Sequence, residues 1–253
     1  MKNSELSFCD HSYQHSIIKS VGRGINKFDL IKADDRIAVG LSGGKDSLVL
    51  LETLALRRRH IPIHYDIIAI HVSLDNGLYD IDREFIHSFC NSLNVRYYEK
   101  MISVDLDEAS VTPCFVCSRG RRKELFLMTR DLGCNKLALG HHMDDILETF
   151  FLNMTFNGAI STIPPKLSIF HGEFDIIRPL YLLNKNSINR YCAIRGFPDQ
   201  KKECPYGDTT KREEIKKIIR QFEGLNEKGK QNIFNALSNI HFEYMPPNEK
   251  NKA

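Results

Sequence analysis

Apolar positions recur with two rhythms along the chain. Ile18, Val21, Ile25 and Phe28 fall at the spacing of a helix with one buried face and predict an amphipathic helix near the N-terminus. From Arg36 the pattern changes, and short runs rich in β-branched residues alternate with helical stretches. Strands are predicted over 37–41, 67–72, 95–102 and 136–140, with helices through Ala55, from about Asp82 to Leu93, and from Asp144. Strands this uniformly apolar are buried on both faces, and their alternation with helices gives a parallel sheet covered on either side. A further strand over 174–180 and a helix over 186–194, stopped near Gly196 and Pro198, follow. Thr210 and Glu213 stand at capping-box spacing for a helix through Ile215, Ile218, Ile219 and Phe222, which Gly224 ends. Ile233, Phe234, Leu237 and Ile240 predict a last helix, and the tail from Pro246 has too little apolar surface to order.

The expected fold is therefore α/β: a doubly wound parallel sheet with N-terminal and C-terminal helices. Its predicted divisions are a leader and amphipathic helix over 1–33, the sheet domain over 34–200, a helical segment over 201–245 and the tail over 246–253. Open sheets of this kind bind ligands at the carboxyl ends of their strands, where the strand order reverses.

One such end reads Ser42-Gly43-Gly44-Lys45-Asp46-Ser47, between an apolar strand and the apolar run Leu48-Val49-Leu50-Leu51. Adjacent glycines let backbone N–H groups approach an anion, and the start of the following helix adds unpaired donors and a positive dipole end. The pattern is a phosphate cradle of an uncommon kind. A Walker loop requires glycine five residues ahead of the Gly-Lys pair and Ser or Thr after it; Val39 and Asp46 stand there instead. An acidic residue beside the phosphates suits a bridging magnesium ion, or attack at the α-phosphate with pyrophosphate leaving. The order resembles the PP-loop of the ATP pyrophosphatase superfamily, whose members adenylate a carbonyl or carboxylate oxygen.

The chain has 253 residues, enough for one large domain or a domain with an appendage, and a net charge of only +3. No stretch is long and apolar enough to predict a membrane span, and the polar N-terminus carries no secretory signal, so a cytoplasmic location is expected. In a reducing compartment seven cysteines, an odd number, point to metal or redox chemistry before disulfides. Basic residues gather in Arg57-Arg58-Arg59-His60, in Arg119-Gly120-Arg121-Arg122-Lys123, and in Lys201-Lys202 with Lys211-Arg212. Any such run is commonly a solvated helix face. The second differs, because it directly follows a cysteine pair.

That pair is Cys114-Phe115-Val116-Cys117, and its spacing suits zinc, an iron–sulfur cluster or a redox couple alike. Cys90 and Cys192 fall within predicted helices and Cys134 at a helix-to-strand turn, settings of buried thiols. Cys204 lies in a loop without a local partner, so Cys114, Cys117 and Cys204 can make a three-thiolate site; clusters usually take four. At another strand end stands Gly140-His141-His142-Met143-Asp144-Asp145, with Glu148 one turn further. Carboxylates in a first helical turn complement the helix dipole without any other role, or form a magnesium or nucleotide site opposite the glycine loop. His71 and Val72, at the end of the second strand, are candidates for the adenosine contact; a satisfied strand-end histidine is the alternative.

Together, the 42–47 loop, Pro113-Cys114-x-x-Cys117-Ser118-Arg119-x-Arg121-Arg122, the block from Gly140 to Thr149 running on to Phe151-Leu152-Asn153-Met154, and Pro164-Pro165-Lys166-Leu167 ahead of Ile177-Arg178-Pro179-Leu180 resemble the tRNA 2-thiocytidine synthetases. The resemblance extends to about Lys217. It implies an ATP- and magnesium-dependent tRNA thiolase, with a [4Fe–4S] cluster on Cys114, Cys117 and Cys204. Ser42, Lys45 and Ser47 would stabilise phosphate charge, and Asp46 would hold magnesium or order the loop. Gly43, Gly44, His71, Val72, Gly140 and Asp145 would complete the nucleotide site. Arg119, Arg121 and Arg122 would engage tRNA phosphate. The target carbonyl attacks the α-phosphate, and sulfide at the open iron then displaces AMP. The sulfur donor would be a cysteine desulfurase or sulfide, and the assembly a homodimer.

Two departures bear on the target base. Many relatives carry a second Cys-x-x-Cys where Gly207 here replaces the partner of Cys204. The Cys204-Pro205-Tyr206 setting is also similar to the tRNA 2-thiouridine thiolases, which usually carry extra zinc-binding cysteine pairs at the termini; this chain has none there. The other readings are a cluster-free ligase such as tRNA lysidine synthetase, and a zinc-stabilised RNA-binding module.

Overall fold

The computed structural model describes residues 8–75, 81–105, 113–198 and 211–246. Cys204 and the tail beyond Pro246 lie outside the described residues. Within them the chain runs α1 (Phe8–Lys27), β1 (Arg36–Gly40), α2 (Lys45–Arg57), β2 (Asp66–Leu74), α3 (Arg83–Ser92), β3 (Arg96–Ile102), α4 (Pro113–Asp131), β4 (Lys136–Ala138), α5 (Met143–Asn157), β5 (Lys166–Ile169), β6 (Phe174–Ile177), α6 (Lys185–Arg195), α7 (Lys211–Leu225) and α8 (Gly229–Ala236). Two compact units divide these elements. One comprises residues 1–146 and 163–209, the other 147–162 and 210–253.

The first unit holds a six-stranded sheet of order β3-β2-β1-β4-β6-β5. Five strands are parallel, and β5 pairs antiparallel with β6. β1 is central because its residues are apolar on both faces: Ile37, Ala38 and Val39 are fully buried. Ile37 and Val39 pack with Ile67 and Ala69 of β2 against Leu48, Leu51 and Leu54 of α2, Phe89 of α3 and Tyr191 of α6. Ala38, Ile68, Ile70 and Leu137 face the other way, onto Met128 and Leu125 of α4. Successive strands step outward from β1 to β3, then the chain returns to place β4 on the opposite side of β1. That reversal puts the turns leaving β1 and β4 next to one another.

Strand β5 was not expected; it is a four-residue edge strand, too short to show alternation. The strand predicted over 174–180 ends at Ile177, before Pro179, which has no N–H to pair. The run Arg57-Arg58-Arg59 is largely structural. Arg57 lies over Gly22 of α1, where a Cβ would come within 2.1 Å of its Nη1, and Arg58 donates to the carbonyls of Leu93 and Asn94 that end α3 (3.2 and 2.9 Å).

In the second unit, Ile215 and Ile219 form the buried side of α7, and Phe222 stacks on Phe151 with ring centroids 5.6 Å apart. Gly224 lies inside α7, which continues to Leu225; a glycine in a last turn costs a helix little. α8 ends at Ala236, short of Leu237 and Ile240. Gly229 starts it because a Cβ there would meet the Phe222 carbonyl oxygen at 2.5 Å. No helix among the described residues is long and apolar enough to cross a membrane.

Candidate active site

Leu41 continues the strand pairing, its N–H bonding the Ile70 carbonyl at 2.8 Å, and the chain then turns sharply. Gly43 takes φ +76°, a backbone region that side chains disfavour, and Gly44 caps α2 in extended conformation. Buried Ser47 closes the loop: its Oγ accepts from the Ser42 N–H at 3.2 Å and donates to the Gly44 carbonyl at 2.8 Å. The Gly44 N–H bonds Ser42 Oγ at 3.3 Å. Both serines thus brace the turn from within.

Gly140, leaving β4, presses on the start of α2. A Cβ at this position would lie 3.1 Å from the carbonyl carbon of Asp46 and 3.2 Å from the Ser47 nitrogen. Gly40, Leu41, Ser42, Asp46, Ser47, Val72, Arg121, Leu125, Leu139, Gly140, His141 and Asp145 enclose a cavity of about 240 Å³ at this junction.

Beside it the carboxylates and histidine of the 140–145 block meet Asp46, as expected of a group opposite the glycine loop, and a lysine that the sequence did not announce joins them. Lys185, the first residue of α6, holds Asp46 Oδ1 at 2.6 Å, and its backbone N–H donates to Asp144 Oδ2 at 2.8 Å. Buried His142 accepts the Asp144 N–H at Nδ1 (3.3 Å), so a neutral ring carries its proton on Nε2. Nε2 faces Asp46 (3.6 Å) and Asp145 (3.5 Å). Asp145 also accepts the His142 N–H at 2.9 Å. α6 is fixed to α2 by buried Glu52, which takes the fork of Arg195 (2.8 and 3.1 Å) and the hydroxyl of Tyr191 (2.7 Å). Lys185 gave no periodic or motif signal, since only the α2–α6 packing brings it to Asp46. Glu148, which shares a helical face with Asp144 in sequence, pairs instead with Arg212 at 3.7 Å in the second unit.

Val72 lines the cavity, whereas the side chain of His71 is fully buried beneath it. Its Nδ1–H reaches the Leu41 carbonyl at 2.8 Å, and burial holds its pKa below the ordinary histidine value. Arg121 is half-buried in the cavity wall, with Nε donating to the Val72 carbonyl at 3.3 Å. Arg119 and Arg122 are exposed.

Cys114 and Cys117 occupy the first turn of α4, the former exposed and the latter half-buried. Residues three apart share one helical side, so the pair fits metal ligation. Among the described residues no third cysteine, histidine or carboxylate completes a metal group with them. Cys90, Cys134 and Cys192 are buried, and burial pushes the thiols of Cys90 and Cys192 up to about 12.

Comparison with known proteins agrees with this geometry. A profile of the PP-loop domain matches residues 14–221. The tRNA-cytidine(32) 2-sulfurtransferase of Geobacter sulfurreducens is 34% identical over 247 residues, covering 95% of each chain. That of Janthinobacterium sp. is also 34% identical, covering 94% of this chain and 77% of its own. The chain belongs to the tRNA-cytidine(32) 2-sulfurtransferase family of PP-loop proteins. Among solved structures, the U34-tRNA thiolase NcsA from Methanococcus maripaludis, determined with its [4Fe–4S] cluster, superposes with a TM-score of 0.71 at 24% identity, covering 94% of this chain and 84% of that one. It has the same fold. In this member of the sulfurtransferase family the strand reversal between β1 and β4 is what sets the Gly140 turn against the turn from Ser42 to Ser47.

Proposed function

We propose that this protein is an ATP-dependent tRNA thiolase that converts a cytidine of the anticodon loop to 2-thiocytidine. The observation that carries the reading is the span of α4. The helix presents Cys114 and Cys117 in its first turn and Arg121 and Leu125 in the cavity wall. Four residues of helix separate Cys117 from Arg121, a rise of ~6 Å, so one rigid element links the thiols to the nucleotide cavity.

ATP lies with its phosphates over Gly43 and Gly44, its charge met by Lys45, Arg121 and the start of α2. The C2 carbonyl oxygen of the base attacks the α-phosphate. The bond from that phosphorus to the bridging oxygen breaks, and pyrophosphate leaves. A sulfur nucleophile then adds at C2, and AMP departs with the former carbonyl oxygen. Val72 faces the adenosine, while His71 acts from below by fixing Leu41. Asp46 and Asp145 would hold Mg²⁺, which would neutralise phosphate charge. Cys114, Cys117 and Cys204 would hold a [4Fe–4S] cluster, which when bound supplies a site for the sulfur donor. Arg119 and Arg122 would meet tRNA phosphate. A homodimer in the reducing cytoplasm, fed by a cysteine desulfurase or by sulfide, belongs to the same proposal.

Nucleoside mass spectrometry of tRNA from cells lacking this protein tests the reading. Loss of 2-thiocytidine, restored by the wild-type gene, supports it. Unchanged 2-thiocytidine with loss of a 2-thiouridine would assign the sister reaction instead.

A further inference from the structure

Arg178 follows β6 at the same sheet edge as the 42–47 turn and the Gly140 turn, since β6 runs parallel to β4 and its Ile177 carbonyl accepts the Leu139 N–H at 3.0 Å. Its side chain is 6% exposed. Nη1 donates to the Pro164 carbonyl at 2.6 Å, the only side-chain hydrogen bond it makes among the described residues. Nε is enclosed and has no partner. No carboxylate pairs with it among the described residues; the Tyr181 hydroxyl favours its charge only once ionised, and Arg122, a second cation, opposes it. Burial and this repulsion both oppose the charged guanidinium, whose pKa falls to about 10. It stays charged at neutral pH nonetheless.

A buried, uncompensated cation destabilises a fold, and a buried N–H without an acceptor adds to the cost. Half-buried Arg195, by contrast, has its carboxylate in buried Glu52. With Nη1 committed to Pro164 and Nε enclosed, Nη2 is the guanidinium nitrogen left to meet an incoming phosphate oxygen through a charge-assisted hydrogen bond. We propose that Arg178, with exposed Arg122 beside it, forms a receptor for one backbone phosphate of the RNA strand. This rests on the reading of the protein as a tRNA-modifying enzyme. Bound there, a phosphate lies on the α4 side of the sheet edge, where it orients the strand that delivers its base to the cavity.

The test compares wild type with Arg178→Met and Arg178→Lys, using an unmodified tRNA transcript over a range of salt. Arg178→Met removes the charge and keeps apolar bulk, so affinity should fall roughly tenfold or more, as expected for loss of a charge-assisted pair. The slope of log affinity against log salt should shrink by about 0.7 to 0.9, one phosphate's worth. Its melting temperature should stay level or rise, because an unpaired buried cation has gone. Arg178→Lys keeps the charge without the guanidinium geometry, so it should keep the slope and lose part of the affinity. A lower melting temperature for Arg178→Met, with affinity and slope unchanged, would overturn the proposal and leave Arg178 as a strut for the 164–165 segment. Inorganic phosphate raising the wild-type melting temperature but not that of Arg178→Met, with tRNA binding equal in both, would also overturn it in favour of a free-anion site. If wild type itself binds no tRNA, the thiolase reading fails instead.

Discussion

Replacing Gly140 by alanine should force apart the two turns that meet at the strand reversal. The added carbon would stand 3.1 Å from the Asp46 carbonyl carbon, 3.2 Å from the Ser47 nitrogen and 3.3 Å from Asp46 Cβ. Non-bonded carbons settle at roughly 3.5–4.0 Å, so every one of these contacts is short by several tenths of an ångström. The two nearest atoms are backbone in the first turn of α2 and cannot rotate away. Relief requires the glycine loop or the Gly140 turn to shift, and overpacking of this kind costs roughly 1–3 kcal/mol. For a chain of this size each kcal/mol lowers the melting temperature by roughly 2–4 °C. The atoms displaced are those that would cradle phosphate, so ATP affinity should fall as well. If the whole strain is expressed in binding, the loss is about 5- to 150-fold. Titration calorimetry with ATP and a thermal melt measure the two effects separately. Gly224→Ala is the control: a Cβ there meets nothing within 4 Å, so alanine in the last turn of α7 should leave melting and ATP affinity at or slightly above wild type. A Gly140→Ala protein that melts and binds ATP like wild type would refute the close-approach reasoning.

Below pH 6.5 the unfolded chain protonates His71 while the folded chain, which holds it neutral, does not. Stability should therefore be complete above that pH and decline as pH falls through it, by up to about 1.4 kcal/mol per unit, until the folded pKa is reached; His71→Gln should flatten this limb in urea titrations. Iodoacetamide should label Cys114 and Cys117 of the metal-free protein long before Cys90 and Cys192, whose thiols are both enclosed and barely ionised; equal rates would contradict the assignment. Cys204→Ala, reconstituted anaerobically, should lose iron and thiolation together while ATP affinity stays at the wild-type value. Full iron and sulfide counts in that variant would require another ligand.

Much of this architecture was legible because it depends on local physics. Apolar runs buried on both faces produced β1 and β2, the Gly43-Gly44 pair forced the turn, and the settings of Cys90, Cys134 and Cys192 showed thiols destined for the core. The features that stayed hidden depend on residues far apart in the chain. Arg57 and Arg58 look like a solvated charge run until Gly22 and the end of α3 are seen to receive them. Arg121 reads as one of three RNA-facing arginines, yet the pitch of α4 turns it into the cavity while Arg119 and Arg122 stay outside. Lys185 carries no local signal at all; Glu52, Tyr191 and Arg195 fix α6 on α2, and only then does an ammonium reach Asp46 across 139 residues of sequence. Sequence by itself determined the elements, the Gly43-Gly44 turn and the paired thiols, because helix and strand periodicity and glycine's backbone freedom act within a few residues. Which charges face one another was decided only by the tertiary structure, because Coulomb and hydrogen-bond partners are set by distance in space, and the packing of α2, α4 and α6 on the sheet fixes those distances.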